Sequence, residues 1–208
     1  DLISFDISID ETDLFVSAKR YLKRKTKRLV LKYRSIIEDY ISDQPEFLTS
    51  LKPVNVRQDA PLIIQEMAKA GLDAGVGPMA SIAGAIAEFI GNDLASFSSD
   101  LIIENGGDLY IRSSCNRAIG IYAGESPLSE RIAVEIKSSD TPCGFCTSSG
   151  TVGHSLSFGK ADAVTIIAPS AAQADAVATA CANMVNTGYD INRALEFASS
   201  ITDVRGAL

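Results

Sequence analysis

The tetrapeptide Asn105-Gly106-Gly107-Asp108 stands between two β-prone runs, Leu101–Glu104 and Asp108–Arg112. Two consecutive glycines after Asn accept positive φ without a Cβ penalty, which suits the tight turns that match strand twist. The middle of the chain is therefore held to an antiparallel hairpin. Other segments fit around it. Leu2–Ile9 partly alternates apolar and polar residues, and Leu14–Ala18 reads as its return strand after a turn at Asp10-Glu11-Thr12-Asp13. Ala118–Tyr122, Ile132–Ile136 and Ala163–Ala168 read as further strands.

Helical spacing of Leu29, Tyr33, Ile36, Ile37, Tyr40 and Ile41 predicts an amphipathic helix over 20–43. A short helix or turn is expected at Pro45–Leu51, and a helix at Pro61–Ala70 with Pro61 near its start. Gly71–Gly77 reads as a glycine-rich loop, followed by a small-residue helix from Pro78 to Ile90 ended by Gly91-Asn92. Ala171–Asn186 and Ile191–Ser200 complete the helices, and Cys143–Lys160 shows no helical period. Paired strands flanked by helices give an α+β or mixed α/β class.

With 208 residues, the chain suits one domain with a core that needs no disulfide or metal staple. Its 46% apolar and 22% charged residues exclude disordered, collagen-like and coiled-coil chains. Four Cys are too few for a disulfide scaffold. No run reaches the ~20 apolar residues of a membrane span, and Val76–Ile90 is interrupted by Glu88. No signal-peptide pattern opens the chain, so a cytoplasmic location is expected. The net charge of −7 argues against wholesale nucleic-acid binding. That charge is unevenly spread. Lys19 to Arg34 holds nine of the 19 Lys and Arg, while residues 35–208 carry a net −11. The basic run suits an anion, nucleic-acid or membrane surface, and more readily the solvated face of a packed helix.

Most candidate motifs are incomplete. Cys143-Gly144-Phe145-Cys146 lacks a second ligand pair at usual zinc spacing and is followed by no helix start, so it reads as structural. Gly153–Lys160 misses the P-loop spacing and has Ala161 where a Mg²⁺-binding hydroxyl belongs. Ser155 next to His154 lacks the second glycine of a nucleophile elbow. The loop at Gly71–Gly77 leads into a helix N-terminus suited to phosphate, but no strand precedes it. Asp175 and Thr179 lie at i and i+4 on one helix face, a carboxylate and a hydroxyl that suit Mg²⁺. His154 is the chain's single imidazole.

Taken together, GPMASIAG at 77–84, ENGGD at 104–108, TSSG at 147–150, His154 and ADAVATA at 174–180 resemble the ApbE-like superfamily. The likeness is fullest to a compact branch that shares GPMASIAGAIAE, ENGGD and CTSSGTVGHSLSFGKADAV almost as written, and whose own activity is unassigned. The resemblance implies one ApbE-like domain over 1–208, with a mixed, largely antiparallel sheet and flanking helices. An N-terminal hairpin and basic helix would occupy 1–45 and a ligand-site core 70–190.

It also implies FAD and Mg²⁺ as cofactors, and transfer of FMN through a phosphoester to a hydroxyl of a protein acceptor. Asp175 and Thr179 would hold the metal and His154 would be catalytic. Gly75, Gly77, Ala83, Asn105, Gly106, Gly107, Asp108, Thr147, Ser148, Ser149 and Gly150 would line the site of a nucleotide-like ligand. Two positions depart from the superfamily pattern: Gly84 replaces a Lys, and Ser157-Phe158 replaces Asp-Pro. A binding module without transfer, or an interaction protein using the basic segment 19–34, are the alternatives. The small-residue helix 79–90 suits either a core position or a contact between copies of the chain.

Overall fold

A computed structural model describes residues 1–151 and 158–208. Among these described residues, nine strands form a seven-stranded and a two-stranded sheet, with six α-helices. β1 (Ile3–Ile9) and β2 (Thr12–Ala18) make the N-terminal hairpin, with Phe5 opposite Val16. β3 (Leu101–Asn105) and β4 (Asp108–Arg112) are joined by the expected turn, where Gly106 and Gly107 take φ of 63° and 103°. β5 (Arg117–Gly120) and β6 (Ala133–Ile136) pair separately. β7 (Cys143–Ser148), β8 (Val164–Ala168) and β9 (Gly206–Ala207) complete the large sheet. Its order is β1-β2-β3-β4-β7-β8-β9, and every pairing is antiparallel. The sheet is mixed with helices in the α+β manner, as the sequence implied.

The helices are α1 (Lys23–Asp43), α2 (Glu46–Thr49), α3 (Leu62–Ala74), α4 (Ile82–Leu94), α5 (Ala171–Met184) and α6 (Ile191–Ser200). Thr26, Val30, Tyr33, Ile37 and Tyr40 form the buried stripe of α1. Tyr33 meets Phe89 of α4 edge-on, their ring centroids 5.4 Å apart. On the other face of the large sheet, Ile111, Cys143 and Phe145 pack with Ile121 and Ile136 beneath the β5–β6 hairpin.

α5 is the central helix, and its small residues explain how it fits. Gly144 of β7 and Gly84 of α4 both lie so close that an added Cβ would overlap Ala171. Gly159 makes the same approach to Ala182. Ser170 caps α5 by accepting from the Gln173 N–H, and Glu88 reaches from α4 to accept from Ser170 Oγ and from the N–H groups of Ala171 and Ala172. That carboxylate at an N-terminus satisfies donors that the helix itself leaves free.

Two sequence expectations are corrected. Gly71 is not loop: α3 runs through it to Ala74, and Gly75 caps it at φ 71°. α4 does not stop at Gly91-Asn92 but continues to Leu94, because Gly91 lets the Tyr110 ring lie against the helix. Cys143–Ser148, within the stretch that shows no helical period, is a central strand. Among the described residues no single helix is long and apolar enough to cross a membrane; α3 with the Pro78–Leu94 segment passes only as a pair bent by 103°.

Candidate active site

The β3–β4 turn delivers Asn105 and Asp108 to the start of α4 and the middle of α5. Asn105 Nδ2 donates to the Ala83 carbonyl across 3.1 Å. Asp108 stands opposite Cys146 in the β4–β7 register and is buried. Asp175 is buried on α5, and its Oδ2 accepts from the Gly84 N–H at 2.9 Å. The Cys146 thiol lies between the Ala171 carbonyl, 3.3 Å away, and the Asp108 carboxylate, and its single proton serves one of them at a time.

The electrostatics of this cluster are unusual. Burial pushes the Asp175 carboxyl up to about 7, against the N–H groups of Gly84 and Ala83. Burial and then the charge of Asp175 push Asp108 well above the carboxylate range, against the Cys146 thiol and the Thr147 N–H. Cys146 is itself raised by burial and by the two carboxylates. Among the described residues, no Lys or Arg ion-pairs with Asp108 or Asp175. Two buried carboxylates without a cation are costly unless they share a proton or bind a cation.

A second unsatisfied group lies close in sequence. Ser148 Oγ is buried and has no hydrogen-bond partner among the described residues. Ser148 shares its β7 face with Cys146, two residues before it, and so faces the helix layer. Thr147 points the other way, its hydroxyl 2.9 Å from that of Thr165. Thr179 follows Asp175 by one turn of α5 and is half-buried. Carboxylate and hydroxyl oxygens without nitrogen ligands form the donor set that a hard cation such as Mg²⁺ prefers. Among the described residues, no three His, Cys, Asp or Glu side chains converge as metal ligands, so the protein oxygens fit such an ion only in the company of water or phosphate.

The remaining sequence candidates fall into two groups. Gly106 and Gly107 have open space where a Cβ would stand, apart from the Thr147 carbonyl 3.5 Å from the Gly107 position. Their backbone is free for a ligand to approach. Ser149 and Gly150 continue from β7: Ser149 Oγ accepts from the Thr151 N–H, and Gly150 N–H donates to the Ala161 carbonyl. Gly75 serves as the cap of α3, and Gly77 packs where a Cβ would overlap the Ser50 carbonyl. Those roles account for both glycines without a ligand. His154 lies outside the described residues, as does Ser157. Cys143 and Cys146 sit on opposite faces of β7, one in each hydrophobic cluster, and all four cysteines are free.

The sequence did not point to Glu88 as the cap of α5, or to Cys146 as a neighbour of the acidic pair. It did mark Asp108 and Asp175 separately. Their proximity joins residues far apart in the chain, which spacing cannot convey.

Comparison with known proteins gives the family and the fold. A family model described as "AbpE bacteria" matches residues 1–203. The UPF0280 protein of Methanococcus aeolicus is 45% identical over 212 residues, covering 99% of this chain and 85% of the relative. That of Methanocaldococcus jannaschii is 47% identical over 208 residues, covering 96% and 84%. Among solved structures, the ApbE protein of Thermotoga maritima superposes with a TM-score of 0.62 at 14% identity, covering 98% of this chain and 93% of that one. The flavinyl transferase ApbE of Pseudomonas stutzeri gives 0.57 at 13%, covering 95% and 87%. The chain therefore belongs to the family described as AbpE bacteria, with the fold of the ApbE flavin transferases.

Proposed function

We propose that this chain binds a flavin dinucleotide together with Mg²⁺ at the junction of the β3–β4 turn, the end of β7 and the face of α5 bearing Asp175 and Thr179. The observation that carries the reading is the buried Asp108–Asp175 pair, which no Lys or Arg neutralises among the described residues. The orphaned Ser148 hydroxyl supports it as a further unsatisfied oxygen on the same side of the sheet. Mg²⁺ there would supply charge neutralisation for a pyrophosphate.

Asp175 and Thr179 are the proposed metal ligands. The open backbone at Gly106 and Gly107 lets phosphate oxygens approach, and Ser148 Oγ is placed to donate to one of them. Asn105 holds the turn on α4 through the Ala83 carbonyl. In the transfer reaction, an acceptor hydroxyl oxygen bonds to the FMN phosphorus, the bridging P–O bond breaks, and AMP leaves. The hydroxyl proton passes to His154, an assignment that rests on the sequence motif alone. FAD binding with and without Mg²⁺ tests the binding step, and AMP release from FAD in the presence of a hydroxyl-bearing protein acceptor tests the transfer.

A second reading, binding without transfer, is favoured by Gly84. The superfamily's Lys has no room at this position, because any Cβ would overlap the Ala171 carbonyl and press on Asp175. Mg²⁺-dependent FAD binding with no AMP release would select this reading.

A further inference from the structure

Part of the basic run forms an exposed surface that the proposed flavin site does not use. Arg20, Lys23, Arg24, Lys27 and Arg28 are all exposed. Among the described residues their side chains form no ion pair or hydrogen bond, whereas Lys32 and Arg34 further along α1 are paired with Asp93 and with Glu11 and Glu38. At 100° per residue, Lys23, Arg24, Lys27, Arg28 and Leu31 fall within an arc of about 140° on α1, away from the buried stripe of Thr26, Val30 and Tyr33. Leu31 stands near the middle of that arc and is 50% exposed; Tyr21, just before the helix, is 62% exposed.

We propose that this end of α1 docks on an anionic lipid bilayer surface. Three observations favour a bilayer. The cations have no internal partner among the described residues, so their charge is available. Leu31 and Tyr21 are apolar groups exposed among them, which an interface of headgroups and acyl chains buries and a phosphodiester backbone does not. The same helix turns acidic at Glu38, Asp39 and Asp43. A nucleic-acid strand tracking the helix would meet those carboxylates, while a bilayer touching the N-terminal end would not. Arg28 and Glu38 are separated by about 15 Å of helix rise, beyond the screening length of about 8 Å at physiological salt. The proposed flavin site borders the start of α4, where Asn105 meets the Ala83 carbonyl. The docking end lies near Phe97, past the end of α4, where Lys25 Nζ sits 4.0 Å from the ring centroid. The two can be occupied together.

Co-sedimentation with vesicles tests the proposal. The chain should pellet with phosphatidylcholine vesicles that contain a third of phosphatidylglycerol, not with phosphatidylcholine alone, and high salt should release it. Replacing Lys23, Arg24, Lys27 and Arg28 by Gln should lower partitioning roughly fivefold per cation, several hundredfold in all, with an unchanged melting temperature. Leu31→Ser should weaken vesicle binding severalfold and leave any binding to duplex DNA unchanged. The proposal is overturned if the folded wild-type chain ignores anionic vesicles at low salt, binds neutral ones equally, or binds duplex DNA while Leu31→Ser has no effect on vesicles. FAD binding by the Gln variant should equal wild type, which separates this surface from the flavin site.

Discussion

The Gly84 N–H donates to Asp175 Oδ2 across 2.9 Å, at a helix crossing with no space for a side chain on the glycine. One residue thus sets both the α4–α5 packing and the orientation of the buried carboxylate. Gly84→Ala should destabilise the fold by about 1–3 kcal/mol, because the added methyl meets backbone that cannot swing away. Gly84→Lys should be worse and should not gain activity. Chemical denaturation of both variants checks this.

Glu88 makes a different kind of contact with the same helix. Burial raises its pKa, against the Ser170 hydroxyl and the N–H groups of Ala172 and Ala171, which it caps. Glu88→Ala leaves those donors without their partner and should cost about 1–3 kcal/mol. Glu88→Gln keeps an acceptor oxygen and should cost less. Paired urea melts would show the difference.

Ser148 separates a binding role from a packing role. Its hydroxyl is buried without a partner among the described residues, so Ser148→Ala should leave the ligand-free protein as stable or stabilise it by on the order of 1 kcal/mol. The same variant should bind FAD more weakly. A loss of stability with unchanged FAD affinity would mean that the hydroxyl serves the fold.

The acidic pair makes stability depend on pH. Asp175 is raised to about 7 in the folded protein, above the value of about 4 for an exposed Asp. The folded chain therefore holds a proton that the unfolded chain releases between those values. The stability this proton contributes is complete below about pH 4 and is lost as pH rises through about 7. Without divalent metal, the protein should be less stable at pH 8 than at pH 5, and Asp175→Asn should flatten that slope.

Asp100 has the opposite sign. Burial opposes its charge, but the Ser114 N–H and the hydroxyls of Ser99, Ser114 and Ser113 outweigh it and hold the carboxyl well below the usual range. Its contribution is present above about pH 4 and lost on acidification. Asp100→Asn should lower stability at pH 7 and reduce the loss on acidification. Thermal melts across pH would resolve both residues.

What the sequence revealed follows from how local each feature is. The β3–β4 turn needs only its own four residues, and Gly106 and Gly107 take the positive φ that their identity invites. Asp175 and Thr179 were legible as a pair because one helix turn joins them. β7 was not, because Cys143–Ser148 is almost wholly buried on both faces and carries no alternation. Its Gly144 is explained only by Ala171 packed above it. Gly91 read as a break for the same reason, since the Tyr110 ring packed against it lies far off in sequence, whereas Gly71 stays in α3 with the backbone of Val76, Gly77 and Pro78 turned back against it. The facing of Asp108 and Asp175, the main electrostatic feature of the site, depends on the β3–β4 hairpin, α4 and α5 meeting, which no local pattern encodes.

The central claim is that the buried acidic pair exists to hold a cation against a flavin dinucleotide. Its most direct test is calorimetric titration of FAD into the metal-free chain, with and without Mg²⁺, for wild type and Asp175→Asn. Binding should require Mg²⁺ and be lost in Asp175→Asn, while that variant remains folded and at least as stable at pH 8. FAD binding that ignores Mg²⁺, survives Asp175→Asn unchanged, or is absent from the wild-type chain would contradict it.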